Sequence, residues 1–200
     1  MNIEYEQVLP GEIEKRSFEI ITEELQQRGI SLDENLAPVI KRVIHTTADF
    51  DYAENLFFSD GALDAAEQAI RQGASIVTDT RMAMSGINKR VLARFGGEVY
   101  NFMADADVAA MAKQNGTTRA VACMDKAAQL EKPLIFAIGN APTALIRLCE
   151  LIGEGKIAPK LIIGVPGGFV NVVFAKELIM QTDIPCIVAR GRKGGSNVAA

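Results

Sequence analysis

The sequence predicts an α/β fold: a three-layer α/β/α sandwich with a mainly parallel central sheet and two leading N-terminal helices. Three observations carry this expectation. Short apolar runs rich in Ile and Val, "SIVTDT", "PLIFAIG", "KLIIGVPGG" and "PCIVARG", recur from residue 75 onward. Amphipathic stretches of about ten to fourteen residues separate them, the pattern of parallel strands covered by helices on both faces. The first 45 residues differ, with apolar residues at three-to-four spacing and no strand signal. A chain of 200 residues can bury one sizeable core, so a single domain over 1–200 is expected.

In order, Ile13, Ile20, Ile21 and Leu25 place a helix at about 11–28. Leu36, Val39, Ile40, Val43 and Ile44 place a second at about 33–45. "ALDAAEQAIRQGA" reads as an alanine-rich helix closed by Gly73, leading directly into the β-branched "SIVTDT". "VAAMAKQNG" and "RAVACMDKAAQLE" are helical, and "PLIFAIG" is a strand. The helix "PTALIRLCELIGEG", the strand "KLIIGVPGG", the helix "VFAKELIMQ" and the strand "PCIVARG" complete the alternation.

Composition narrows the function classes. With 21 basic and 25 acidic residues and no long run of either sign, the chain has no general nucleic-acid or membrane surface. Cys123, Cys149 and Cys186 are odd in number and widely spaced, which fits neither a disulfide framework nor a zinc site. Buried thiols in a reducing compartment are expected. No run of about eighteen apolar residues occurs, and the acidic start lacks an apolar signal core, so a soluble cytoplasmic protein is expected.

In sheets of this kind, ligands bind beyond the carboxyl ends of the strands. The segments there are polar and glycine-rich: "TDTRM", "NAPTA", "GGF" and "RGRKGGSN". "GNAPTA" sets a glycine and an asparagine before a helix-starting Pro142, where free N–H groups and the helix dipole suit a carboxylate or phosphate; ordinary capping is the plainer reading. "RGRKGGS" adds three cations among glycines, and can equally be a solvated tail. Together these turns suggest a small polyanionic ligand. Neither G-x-G-x-x-G after a strand nor G-x-x-x-x-G-K-[ST] is present, which argues against a dinucleotide and against a P-loop triphosphate.

His45, the single histidine, stands near the end of the second helix in "RVIHTTADFDYAENL". At about 100 degrees per residue, it and Arg42 share a flank off the apolar stripe. An imidazole there can pass a proton either way near neutral pH, although a lone histidine is more often structural. Ser17 falls close to the stripe of the first helix, and its plain reading is a hydroxyl bonded back to that helix. Arg119 reads as a surface residue on a helix N-terminal turn. Asp49 and Asp51 read as capping and solvating the turn after His45.

Seven ordered stretches, "RSFEII", "RVIHTTADFDYAENLFFSDGA", "GASIVTDTRMAMSGIN", "GTTRAVACM", "AIGNAPTAL", "IIGVPGGFVNVVFAKELI" and "IVARGRKGGS", resemble the precorrin-8X methylmutase family, including its cobalt-precorrin-8 branch. The resemblance spans almost the whole chain. It implies a cofactor-free homodimer of α/β architecture, holding no metal of its own, that moves a methyl group from carbon eleven to carbon twelve of a corrinoid ring. The product would be hydrogenobyrinate or its cobalt form, cobyrinate, in cobalamin biosynthesis. It implies that His45 is the catalytic proton donor and that Ser17, Arg42 and Arg119 contact the tetrapyrrole substrate. Such a substrate carries acetate and propionate carboxylates, which basic turns and helix N-termini would hold.

The chain departs from the family pattern at "GVPGGFV" and "FAKE", where relatives commonly read "GVPVGFV" and "ESKE"; Gly167 is expected to loosen that turn. The ending "GGSNVAA" stops short of the alanine-rich helix with which relatives often finish, so a shortened final packing element is expected. Two other readings stand beside the methylmutase: a corrinoid-binding protein without turnover, and an unrelated α/β enzyme acting on a phosphorylated metabolite.

Overall fold

The structure, a computed structural model, describes residues 6–200, and the chain divides into two compact units, residues 1–54 and 55–200.

The first unit contains α1 (Ile13–Gln27) and α2 (Ala37–Thr47), which pack on each other. α3 (Tyr52–Asn55) closes it and leads into the second unit. Ile21 and Leu25 of α1 and Ile40, Val43 and Ile44 of α2 are buried, the stripe their spacing predicts. α2 begins four residues later than the periodicity suggests. The Asp33 carboxylate accepts from the N–H of Asn35 at 2.8 Å and the Asp33 carbonyl from Ala37 at 2.8 Å, so 33–36 form a turn rather than helix. Pro38 then sits in the first helical turn, where its missing N–H costs nothing.

α2 also runs two residues further, to Thr47. Thr46 and Thr47 donate their hydroxyls back to the carbonyls of Arg42 and Val43 at 3.0 and 2.8 Å. Ala48, with φ 54, turns the chain out of the helix in the left-handed region, which a non-glycine residue rarely occupies. The "TTADFD" segment is thus a helix stop held by side chains, with the Asp49 carboxylate accepting from the N–H of Asp51 at 3.1 Å.

The second unit is built on six strands: β1 (Leu56–Phe58), β2 (Ser75–Thr78), β3 (Val99–Tyr100), β4 (Leu134–Ile138), β5 (Leu161–Gly164) and β6 (Cys186–Ala189). Their spatial order is β1-β6-β5-β4-β2-β3, parallel throughout except for β1, which runs antiparallel to β6. β1 and β3 were not expected; at three and two residues they are too short to show a period of two. Between the strands lie α4 (Ala62–Arg71), α5 (Arg81–Gly86), α6 (Lys89–Ala93), α7 (Ala106–Gln114), α8 (Arg119–Ala127), α9 (Pro142–Gly153) and α10 (Val172–Met180), and α11 (Ser196–Ala199) follows β6.

Alternation along the strands makes the layers. Leu134, Phe136 and Ile138 of β4 join Val77, Ile162 and Val188 in one core with Met124, Leu145, Leu148 and Ile179 from the helices α8 to α10. Ile135 and Ala137 point to the other face, also buried, where α4 meets β4 and β5. Both faces are therefore covered, and each large apolar side chain removed from water contributes about 1.5–3 kcal/mol. The three cysteines are free; burial pushes the thiols of Cys123 and Cys149 up to about 11. Among the described residues no helix is long and apolar enough to cross a membrane.

Candidate functional site

Ser17, Arg42 and His45 come together on the first unit. The Ser17 hydroxyl and His45 Nδ1 lie 2.7 Å apart, a bond between α1 and α2 in place of the hydroxyl's expected return to its own helix. The Phe18 ring flanks the imidazole, with centroids 5.5 Å apart and planes at 31°. The Arg42 guanidinium lies 4.8 Å from the Phe18 centroid and donates to Glu14 at 2.6 Å. Arg42 holds the Glu14 carboxyl below its ordinary value, first by that hydrogen bond and then by its charge. Among the described residues no carboxylate bonds the imidazole. His45 and Arg42 are exposed and Ser17 is half-buried, so this cluster is open to a ligand.

Beside it, Val8, Leu9, Ile13 and Ile20 line a groove of about 720 Å³, with Glu6, Gln7, Arg16 and Ser17 supplying polar groups. Leu9 and Ile13 are 69 % and 56 % exposed, a high value for apolar residues that line a concave surface. Such a groove offers an apolar wall with an ion pair and a hydroxyl at its edge. Arg16 bonds Glu6 at 2.6 Å, which ties the segment before α1 to that helix.

In the second unit, five parallel strands end on one edge of the sheet, and the turns there are bound to one another. Asp79, directly after β2 and 2 % exposed, accepts from the N–H groups of Gly139, Asn140 and Ala141 at 2.9, 2.8 and 2.7 Å. Burial raises the affinity of this carboxyl for a proton, and the three N–H groups oppose that. The "GNAPTA" turn therefore does hold a carboxylate, but it is the chain's own. In the sequence Asp79 reads only as part of a polar turn; the signal for its role is an acidic residue placed immediately after one strand while a neighbouring strand ends in Gly-Asn.

Lys176, 0 % exposed, is the opposite case. Its ammonium donates to the carbonyls of Gly191 at 3.0 Å and Lys193 at 2.8 Å, and burial lowers it to about 8. The "RGRKGGS" segment is thus no solvated tail. Gly195 N–H donates to the Val165 carbonyl at 2.8 Å and Gly168 N–H to that of Arg192 at 3.0 Å. A Cβ on Gly167 would meet the Gly194 carbonyl oxygen at 2.9 Å. Gly167 does not loosen its turn; it lets two turns close on each other. Thr80 donates its hydroxyl to Ser196 at 2.8 Å and caps α5 by accepting from Ala83 N–H at 3.0 Å, which brings the turn after β2 to α11.

Pinned in this way, the turn before α10 presents Phe169 and Val170, each 80 % exposed, and the first turn of α10 presents Phe174, 60 % exposed. Arg192 lies over the Phe169 ring at 5.3 Å and Arg190 over Phe57 at 4.6 Å. Arg119, exposed, occupies the first turn of α8, behind the Thr118 cap that accepts from Val121 N–H at 3.2 Å. Among the described residues no group of three or more His, Cys, Asp and Glu could hold a metal ion.

The chain is similar to known proteins over almost its whole length. A sequence model of the family described as precorrin-8X methylmutase matches residues 12–200. The chain is 46 % identical over 197 residues to the cobalt-precorrin-8 methylmutase of Salmonella typhimurium, covering 96 % of this chain and 91 % of the relative. It is 44 % identical over 191 residues to the cobalt-precorrin-8 methylmutase of Priestia megaterium, covering 96 % and 84 %. The crystal structure of precorrin-8X methylmutase from Thermus thermophilus superposes with a TM-score of 0.81 at 40 % identity, covering 94 % of this chain and 91 % of that one.

Proposed function

The chain belongs to the precorrin-8X methylmutase family, and from that premise we propose that it is a cobalt-precorrin-8 methylmutase, an isomerase of cobalamin biosynthesis. The substrate is a flat macrocycle fringed with carboxylates, and the reaction moves one methyl group between neighbouring ring carbons without net change in atoms or electrons. The two relatives of highest quoted identity carry the cobalt name, which supports the cobalt form as the natural substrate.

One observation carries the reading: the single imidazole of the chain stands exposed on α2, held at Nδ1 by Ser17, with no hydrogen bond at Nε2 among the described residues. His45 would deliver a proton to the macrocycle and recover one after the shift, as a single acid–base group near neutrality can. Arg42, Ser17 and Arg119 would hold the acetate and propionate carboxylates, Arg42 exchanging part of its contact with Glu14 for the ligand. The apolar groove beside Ser17 is a surface of the chemistry a corrin ring requires. Correct orientation in such a site contributes as much as the proton itself. The whole chain would act as one catalytic domain, as a homodimer in the cytoplasm, with no resident cofactor.

Conversion of cobalt-precorrin-8 to cobyrinate, followed by visible absorption, tests this. His45→Ala should lower turnover by about 10²–10⁴-fold, the usual contribution of a positioned acid–base group, while a titration with metal-free hydrogenobyrinic acid still shows a saturable spectral shift. Tight binding by the unmodified protein without any turnover would overturn the enzyme reading in favour of a corrinoid carrier. Unchanged turnover in His45→Ala would remove His45 from the mechanism.

A further inference from the structure

We infer that Ser17 couples carboxylate binding to the tautomer of His45: a substrate carboxylate that accepts the hydrogen bond of the Ser17 hydroxyl turns Nδ1 of His45 into the N–H donor and leaves Nε2 as the working nitrogen. The inference rests on His45 as the proton-transfer residue.

The starting point is the 2.7 Å contact between Ser17 Oγ and His45 Nδ1. A hydroxyl can both donate and accept, whereas a carboxylate or a backbone carbonyl in the same place could only accept. The direction of this bond is therefore not set by the serine itself. It depends on whether another acceptor claims the hydroxyl proton. When none does, Ser17 donates to Nδ1, and a neutral ring must carry its proton on Nε2. Such a ring can accept nothing at Nε2 and is a poor acid there, because loss of that proton would leave an anionic imidazolate.

The catalytic cycle needs the other arrangement. An imidazolium that gives up its Nε2 proton becomes a neutral ring with the proton on Nδ1, and its bare Nε2 can then take a proton back. Ser17 must accept from Nδ1 in both of those states. Its own proton must then point elsewhere, and an anionic oxygen is the strongest acceptor for it. Ser17 lines the groove beside α1, where Arg16 is bonded to the Glu6 carboxylate at 2.6 Å, so a substrate carboxylate that reaches the hydroxyl from that side would share Arg16 with Glu6. Proton count is conserved throughout: the hydroxyl keeps its hydrogen and only the acceptor changes, while the imidazole proton moves from Nε2 to Nδ1 through solvent.

The rest of the cluster keeps the ring in place while the bond reverses. His45 is exposed and has little packing of its own, so its orientation depends on Ser17 at one edge and the Phe18 ring on one face. Phe18 is in turn covered by Arg42, which Glu14 anchors. With no carboxylate on the ring among the described residues, nothing else commits Nδ1 to the N–H form before a ligand arrives.

Because the chain has one histidine, ¹⁵N-histidine labelling gives spectra of His45 alone. Correlations from the two carbon-bound ring protons identify which nitrogen carries hydrogen, at a pH where the ring is neutral. The probe is hydrogenobyrinic acid, which lacks cobalt and its paramagnetism. The expected result is the Nε2–H tautomer in the free protein and the Nδ1–H tautomer in the saturated complex. Ser17→Ala should abolish the ligand-dependent change and lower kcat by roughly 10²-fold, within the range of a lost acid–base contribution; Ser17→Thr, which keeps the hydroxyl, should restore both. The same tautomer with and without bound ligand, or an unaltered switch in Ser17→Ala, overturns the coupling and leaves the methylmutase reading intact. Failure of hydrogenobyrinic acid to bind overturns that reading and the coupling together.

Discussion

In the helical unit, Arg42 and Glu14 meet at 2.6 Å with more than half of each side chain exposed, 53 % and 62 %. In the sheet unit, Asp79 and Lys176 are 2 % and 0 % exposed, and among the described residues neither pairs with an opposite charge; each bonds to backbone, three N–H groups for Asp79 and two carbonyls for Lys176. Exposed pairs contribute little to stability because water and salt screen them. Their use is to place a side chain where a ligand will arrive. Buried charges cost several kcal/mol to desolvate and remain only where their hydrogen bonds are well made. Here they shape main chain, drawing the turns after β2, β4, β5 and β6 into one fixed edge.

The largest effect expected from breaking this comparison is at Asp79. Asp79→Ala leaves the N–H groups of Gly139, Asn140 and Ala141 without their acceptor, at about 1–3 kcal/mol for each that stays buried. A loss of about 3–5 kcal/mol in urea unfolding is expected, and a loss below 1 kcal/mol would show that water replaces the carboxylate.

Next comes Lys176, through its pH dependence. Its affinity for a proton falls from an ordinary value of 10.5 to about 8 in the folded chain, because burial disfavours the ammonium. Between those two values the unfolded chain binds more protons than the folded one, so stability rises as pH climbs from about 8 to about 10.5; below about 8 the full cost is present. Unfolding free energies of the unmodified protein and of Lys176→Met, measured from pH 7 to 10, should diverge by at most about 3 kcal/mol in favour of the former as pH rises. A constant difference would show that the lysine titrates as it does in water.

The smallest effect on stability is expected from Arg42→Ala. Removing an exposed pair should change unfolding by less than about 1 kcal/mol. The same variant should weaken hydrogenobyrinic acid binding by roughly ten- to a hundredfold, since a charge-assisted contact is worth roughly 1.5–3 kcal/mol. Stability loss without weaker binding would reverse the roles assigned to the two kinds of charge.

Much of the sheet unit was legible beforehand. "PLIFAIG", "KLIIGVPGG" and "PCIVARG" are strands because runs of buried β-branched residues announce themselves over a few positions. β1, β3 and the short α5 and α6 escaped, since two to six residues hold too little periodicity to read. In the helical unit the buried stripe was readable, but the start of α2 was not, because a side-chain turn at Asp33 competes with the helix.

Ser17, Arg42 and His45 were each visible as residues, and Arg42 and His45 as neighbours on one helix flank, because helical spacing is a local property. Composition and periodicity likewise determined the α/β class, the succession of the main strands along the chain and the edge on which the polar turns gather; their order across the sheet came from the structure. What the sequence could not decide was the partner of each polar group. Ser17 and His45 are 28 residues apart, Asp79 and its turn 60 to 62, Lys176 and its carbonyls 15 to 17. Such bonds depend on how packed elements are set side by side, and a hydroxyl, a carboxylate or an ammonium carries no mark in the sequence of which distant donor or acceptor will reach it.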